Sequence, residues 1–333
     1  MTRGPLDFSA SSCAVSRKNA QQAPAPGRGR RMSREAGMSH TESEIASQPD
    51  RWRRAIELAR RADGAARAWL PRPGERVAVA GCGTSWFMAQ AYAALRERAG
   101  HGETDAFPAS EARTGRRYDR VLVLSRSGTT TEVLDLLGAL RGRTVTVAVT
   151  ADPAAPVVAA ADGAVVLDFA DERSVVQTRF ATTELVLLRA HLGEPLDHLA
   201  ADAESALAAP LPAELTAAEQ FTFLGRGWTY GLAQEAALKL REAAGAWTEA
   251  YPAMEYRHGP VSVTGPNRVV WAFGEPGRGL AEQVARTGGR FVAPARDPLA
   301  DLVVAQRLAV AVAAARGLDP DRPRHLTRSV ILT

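Results

Sequence analysis

Short β-branched runs alternate with helix-length stretches along most of this chain, and that alternation leaves few folds open. Val77-Ala78-Val79-Ala80, Val121-Leu122-Val123-Leu124, Val145-Thr146-Val147-Ala148-Val149 and Ala164-Val165-Val166-Leu167 are separated by helix-like stretches at 85–99, 130–141 and 153–161. Strands divided by helices cannot pair as tight hairpins; they cross over and pair in parallel as βαβ units. After Pro210 and Pro212 the pattern begins again with Phe221-Thr222-Phe223-Leu224, a helix near 229–244, Val269-Val270-Trp271-Ala272-Phe273, a helix near 277–287, and Phe291-Val292. The turn Gly225-Arg226-Gly227-Trp228-Thr229 echoes Gly81-Cys82-Gly83-Thr84-Ser85. Two similar α/β halves in tandem, each a three-layer αβα unit around a parallel sheet, account for this most simply.

The ends of the chain read differently. Residues 1–40 mix Ser, Ala, Pro, Gly and Arg without apolar periodicity, as in Ala23-Pro24-Ala25-Pro26-Gly27-Arg28, and are expected to be a disordered tail. Met38 is a candidate start. Trp52, Ile56, Leu58, Trp69 and Leu70 imply an amphipathic helix over 51–70, stopped by Pro71 to Gly74. The expected layout is a tail over 1–40, a helical segment over 41–74, a first unit over 75–195, a second over 196–320 and a C-terminal tail over 321–333.

A sequence pI near 9.4 invites a nucleic-acid reading, but the charge sits in the wrong place for one. The first forty residues carry about +5, while the formal net charge of the whole chain is +4, so the body is close to neutral. Cys13 and Cys82 are the only cysteines, with no CxxC and no His/Cys cluster, which argues against a disulfide framework or a structural zinc site. No signal-peptide h-region and no uninterrupted apolar run of bilayer-spanning length is present. A cytoplasmic protein without nucleic-acid or membrane partners is expected, and no metal or organic cofactor is indicated.

Two turns carry most of the chemistry. Gly81-Cys82-Gly83-Thr84-Ser85 follows a strand and opens a helix, where glycines let backbone amides approach an anion. A tight turn with a capping hydroxyl would also explain it. Ser125-Arg126-Ser127-Gly128-Thr129-Thr130-Thr131-Glu132 holds more hydroxyls than capping requires. Both turns fall at the carboxyl ends of parallel strands, where open α/β sheets bind ligands. With neither GxGxxG nor a Gly-Lys-Ser/Thr P-loop, a small phosphorylated ligand fits better than a nucleotide.

Lys18 and Lys239 are the only lysines among 41 basic residues, so beyond the tail Lys239 stands alone. A position that keeps lysine in so arginine-rich a chain needs a compact ammonium whose pKa responds to burial. Glu235, Lys239 and Glu242 lie at i, i+4 and i+7, on one helix face. These features together resemble the sugar isomerase (SIS) domain family, in particular its double-SIS group, which includes the isomerase half of glucosamine-6-phosphate synthase and the amino-sugar-6-phosphate deaminases. The resemblance covers about 41–333. It implies a pair of SIS domains and a sugar phosphate held by Ser85, Ser125, Ser127 and Thr130. Arg126 stands where the synthases have glutamine and adds a cation there. The segment from Glu172 to Leu185, with Ser174, Thr178 and Arg179, corresponds to the family's border of the sugar site.

The catalytic stretch of the family matches 233–242, Glu249-Ala250-Tyr251 and Arg257-His258-Gly259-Pro260. By that match Glu242 moves a proton at C2 beside Lys239, and His258 is the acid/base that opens the sugar ring. The family's histidine reaches its site from a second subunit, which implies a homodimer with shared active sites. The C-terminal tail, 321–333, resembles the tail that closes the synthase site, but Arg328 replaces the lysine thought to form an imine there, and a guanidinium cannot do so. No glutaminase segment precedes the resemblance, so amino-sugar synthesis is not expected. The reading favoured is C2 proton abstraction from an open-chain amino-sugar 6-phosphate, leaning to dehydration of N-acetylglucosamine 6-phosphate. Glucosamine-6-phosphate deamination or isomerisation is the alternative, and a non-catalytic sugar-phosphate sensor is the third.

Overall fold

The computed structural model describes residues 37–61 and 63–332, so the expected tail lies almost wholly outside the described residues. The N-terminal segment forms α1 (His40–Ala46), α2 (Gln48–Arg60) and α3 (Ala65–Trp69). Ser39 and Glu42 close a reciprocal capping box at the start of α1. The single helix expected over 51–70 is two helices, because Arg61 turns to an extended backbone and ends α2.

The first unit follows as β1 (Val77–Gly81), α4 (Thr84–Arg98), β2 (Thr104–Pro108), β3 (Arg120–Leu124), α5 (Thr131–Leu140), β4 (Val145–Thr150), α6 (Pro156–Ala160), β5 (Gly163–Val166) and α7 (Arg179–His191). The second contains α8 (Leu199–Ala208), α9 (Ala213–Thr216), β6 (Gln220–Gly225), α10 (Thr229–Ala244), β7 (Trp247–Pro252), β8 (Arg268–Ala272), α11 (Leu280–Arg286), β9 (Arg290–Val292) and α12 (Pro298–Ala315). The two sheets run β2-β1-β3-β4-β5 and β7-β6-β8-β9, and every pairing is parallel. Strand by strand the orders correspond, with β6, β7, β8 and β9 repeating β1, β2, β3 and β4.

Side chains alternate across each strand, so Val77 and Val79 enter a central core while Ala78 and Ala80 pack against α5 and α6. That central core also takes Phe221, Phe223 and Trp271 from the second sheet, and α4, α7, α10 and α12 fill it. The α12 helix is long and apolar enough to cross a membrane by composition, but 72% of it is buried inside the fold. Where α4 and α10 meet, Gly231 leaves no room for a side chain: a Cβ there would lie 2.4 Å from the Phe87 carbonyl oxygen. That contact brings the first turn of α4 alongside the polar face of α10.

Candidate active site

At the carboxyl ends of β1 and β3 the chain makes two turns whose walls enclose a crevice of about 190 Å³. Gly83 sits at φ 54°, a left-handed conformation that favours glycine, and lets the chain swing from β1 into α4. Ser85, Ser125, Arg126, Ser127 and Thr130 all line the crevice, so five residues expected to bind phosphate are brought together. The second turn is ordered by its own hydroxyls. Ser125 Oγ accepts from the Gly128 amide at 3.2 Å, and Ser127 Oγ accepts from the Thr129 amide at 3.3 Å.

The C-terminal segment crosses this turn. Thr129 Oγ1 donates to Ser329 Oγ at 2.9 Å, Ser127 Oγ donates to it at 3.2 Å, and the Thr131 amide donates to the Val330 carbonyl at 3.2 Å. Arg126 is 2% exposed. Its Nη2 donates to the Arg328 carbonyl at 3.0 Å, its Nη1 donates to the Ser174 carbonyl at 2.9 Å, and the buried Glu172 carboxylate lies 3.6 Å away. Burial pulls the Arg126 guanidinium below its ordinary pKa, opposed by Glu172.

The opposite wall belongs to α10. Lys239 Nζ donates to Glu242 Oε2 at 2.5 Å and to Thr84 Oγ1 at 3.0 Å, and lies 3.3 Å from Glu235 Oε1. Lys239 and Glu235 are enclosed, whereas the Glu242 side chain keeps 19% exposure and faces the crevice. Burial works against the Lys239 ammonium, but the carboxylates of Glu235 and Glu242 hold its pKa above the ordinary lysine value. Burial drives Glu235 the other way, up to about 7, against the pull of Lys239. The lysine is therefore held as a cation between one buried carboxyl and one that meets solvent.

Other expected site residues have different surroundings. Ser174 donates its hydroxyl to Glu44 of α1 and, at 2.9 Å, to the Val176 carbonyl. Thr178 Oγ1 donates to Glu172 at 2.8 Å, and the Arg179 guanidinium donates to the Asp171 carbonyl and to Ser47 Oγ at 3.1 Å. These three brace the segment from behind, and its crevice-facing residues are Val175 and Gln177. Arg328 lines the crevice, yet its guanidinium pairs with Asp171 at 2.5 Å and donates to the Glu172 carbonyl. His258 follows the 3₁₀ turn Glu255–Arg257, is exposed, and is not part of the crevice wall.

Residues the sequence did not single out complete the site. Thr84 binds Lys239 across the two units, Gln177 lines the crevice, and Ser329 reaches the hydroxyl turn. Thr84 shares a turn with Ser85 and could have been found by that proximity. Gln177 and Ser329 lie in the segments 172–185 and 321–333 that the resemblance assigned to the site, but no local pattern singled them out, since each arrives through a chain path fixed by distant contacts. One such contact is Asp321, whose carboxylate accepts from the His40 and Thr41 amides at 2.8 and 2.9 Å and pins the tail to α1.

Tandem parallel αβα units, with a hydroxyl-rich turn of one facing a Glu-Lys-Glu helix face of the other, define a double-SIS architecture. No family model matches the chain. The isomerizing glutamine–fructose-6-phosphate aminotransferase of Gloeobacter violaceus is 31% identical over 77% of this chain and 52% of that protein. The chain thus spans about half the length of the curated relatives it matches. Glucosamine-6-phosphate deaminase from Thermotoga maritima superimposes with a TM-score of 0.74 at 24% identity, over 88% of this chain and all of that one. The C-terminal domain of glucosamine-fructose-6-phosphate aminotransferase from Francisella tularensis gives 0.74 at 23% identity, over 87% of this chain and all of that domain. The chain has the double-SIS fold of the sugar isomerase (SIS) family and is similar in sequence to the isomerizing aminotransferases, whose C-terminal domain shares that fold.

Proposed function

We propose that the protein is an amino-sugar 6-phosphate lyase or isomerase that works by moving a proton at C2 of the open-chain sugar. The observation that carries this reading is Glu242, solvent-facing, 2.5 Å from a buried lysine cation and sharing the crevice with the hydroxyl turns. Ser85, Ser125, Ser127 and Thr130 hold the phosphate with the buried Arg126 cation behind them, Glu242 removes the C2 proton, and Lys239 stabilises the negative charge that passes between carboxylate and substrate. His258, on its exposed turn, serves the site of a second subunit in a homodimer.

The reaction favoured is dehydration of N-acetylglucosamine 6-phosphate. The C2–H bond breaks to Glu242, the C3 hydroxyl leaves as water with a proton returned to it, and the double bond forms between C2 and C3. An amide nitrogen cannot depart as ammonia, which suits elimination at C3. Imine chemistry lacks a nucleophile: Arg328 is bound to Asp171, and Lys239 is held as a cation between two carboxyls. Deamination of glucosamine 6-phosphate is the second reading, favoured by the likeness in fold to the Thermotoga maritima deaminase. Incubation with each sugar phosphate separately, following product mass and ammonia, tests the assignment. Loss of one water from the acetylated sugar supports the dehydratase, ammonia from the free amine supports the deaminase, and no change in either favours a ligand sensor.

A further inference from the structure

Glu242 and Leu326 form a wall shared by two recesses. One is the hydroxyl-lined crevice; the other is an open chamber of about 560 Å³ on the far side. Four arginines line the chamber, Arg241, Arg316, Arg322 and Arg324, against the carboxylates of Glu242 and Asp319. Glu242 is already committed to Lys239. Arg241 and Arg316 are anchored at the rim, donating to Thr248 Oγ1 at 3.1 Å and to the Ala244 carbonyl at 3.0 Å. Arg322 and Arg324 are exposed, and their guanidinium groups make no side-chain hydrogen bond or ion pair among the described residues.

Under the reading above, a sugar seated with its phosphate against the hydroxyl turns and its reacting carbon at Glu242 has that carbon's substituent beside the residue that also lines the chamber. An acetyl group needs only a small part of such a chamber, and it offers a guanidinium pair one neutral carbonyl oxygen and no charge. An arginine fork matches a carboxylate in geometry and charge. We propose that the chamber is a second anion subsite, and that the preferred substrate is a sugar 6-phosphate whose reacting end carries an acidic substituent, such as an amine acylated by a dicarboxylic acid. This deepens the functional reading above and rests on it.

Calorimetric titration of the full chain with N-succinylglucosamine 6-phosphate and N-butyrylglucosamine 6-phosphate tests the idea, because the two probes differ at the terminal carboxylate. The succinyl compound should bind about tenfold more tightly at low salt. Added salt should narrow that ratio, and the R322A/R324A variant, changed at two exposed positions, should bring it close to one. Equal binding, or weaker binding of the succinyl compound, overturns the subsite while leaving the phosphate site standing. A ratio that survives in the double variant also overturns it, since the carboxylate is then read elsewhere. Failure to bind either probe removes the functional reading and this inference together.

Discussion

The two halves make the same turn and use it differently. In both, a glycine at φ 54°, Gly83 or Gly227, carries the chain from the first strand of its sheet into a long helix. In the first half the helix opens with Thr84 and Ser85, and the neighbouring strand leads into Ser125-Arg126-Ser127, so hydroxyls line an open crevice with the buried Arg126 cation behind them. In the second half the equivalent hydroxyl is consumed internally: Thr229 Oγ1 accepts from the Arg226 amide at 2.8 Å and donates to the Phe273 carbonyl at 3.0 Å. Trp228 packs beneath the Arg189 guanidinium at 4.8 Å, and the neighbouring strand leads into Gly274-Glu275, a carboxylate where the first half has hydroxyls. Backbone geometry supplies a place for a ligand; side chains with unspent hydrogen-bonding capacity decide whether it is used. The second half contributes instead through the flank of its helix, by Glu235, Lys239 and Glu242.

That division of labour can be broken most severely at Glu242. Glu242→Gln should lower turnover by at least about a hundredfold with sugar-phosphate affinity retained, as measured by steady-state kinetics beside calorimetry. Equal turnover in the variant would move the chemistry off the second half. Lys239→Met strands two carboxyls around an apolar chain, and should cost about 3 kcal/mol in urea unfolding as well as activity. On the other side of the crevice, Ser127→Ala should raise KM by roughly five- to tenfold with little change in kcat, since it removes one hydroxyl from a multipoint anchor. A kcat effect as large as that of Glu242→Gln would mean the halves are not separable in role.

A smaller effect separates a carboxyl that belongs to the site from one that belongs to the core. Asp301 of α12 is buried, and burial lifts it to about 7, opposed by the hydrogen bond from Trp271 Nε1 at 2.7 Å and by Arg296. Below about pH 4 both folded and unfolded chains keep that proton, so its contribution to stability is complete. Between about pH 4 and 7 the unfolded chain ionises first and stability is lost. Asp301→Asn keeps an acceptor for Trp271 and should flatten that part of a stability–pH profile without altering KM. Smallest of all, Arg226→Ala in the second turn should leave KM for the sugar phosphate unchanged within about twofold, whereas a larger rise would assign that turn a ligand role.

The inner strands were legible because a strand buried on both faces is a near-continuous apolar run, as in 121–124 and, broken only by Thr222, in 221–224. The edge strands β2 and β7 were not, since Thr104–Pro108 and Trp247–Pro252 alternate polar residues and end in proline, as an edge position permits. Nor was α12, which is apolar on nearly every side and so shows no helical stripe. In the site, the Glu235-Lys239-Glu242 spacing and the hydroxyl turns stood out as patterns within one element. Residue type alone could not say that Ser174 and Thr178 turn inward to hold Glu44 and Glu172, because that direction depends on where α1 docks. It also could not show that Thr84 of one unit would meet Lys239 of the other, a contact that exists only once α4 crosses α10.

The crossing at Gly231 has a metrical consequence. Because Thr84 and Ser85 open α4 while Lys239 and Glu242 ride on α10, sliding one helix past the other by a single turn would change their separation by about 5.4 Å, more than the span of two or three carbon–carbon bonds. Under the proposed reading the crossing acts as a ruler, with its zero at the phosphate and its mark at the carbon Glu242 touches. Chain length between those two points, more than the identity of the hydroxyls along it, then determines which sugars register.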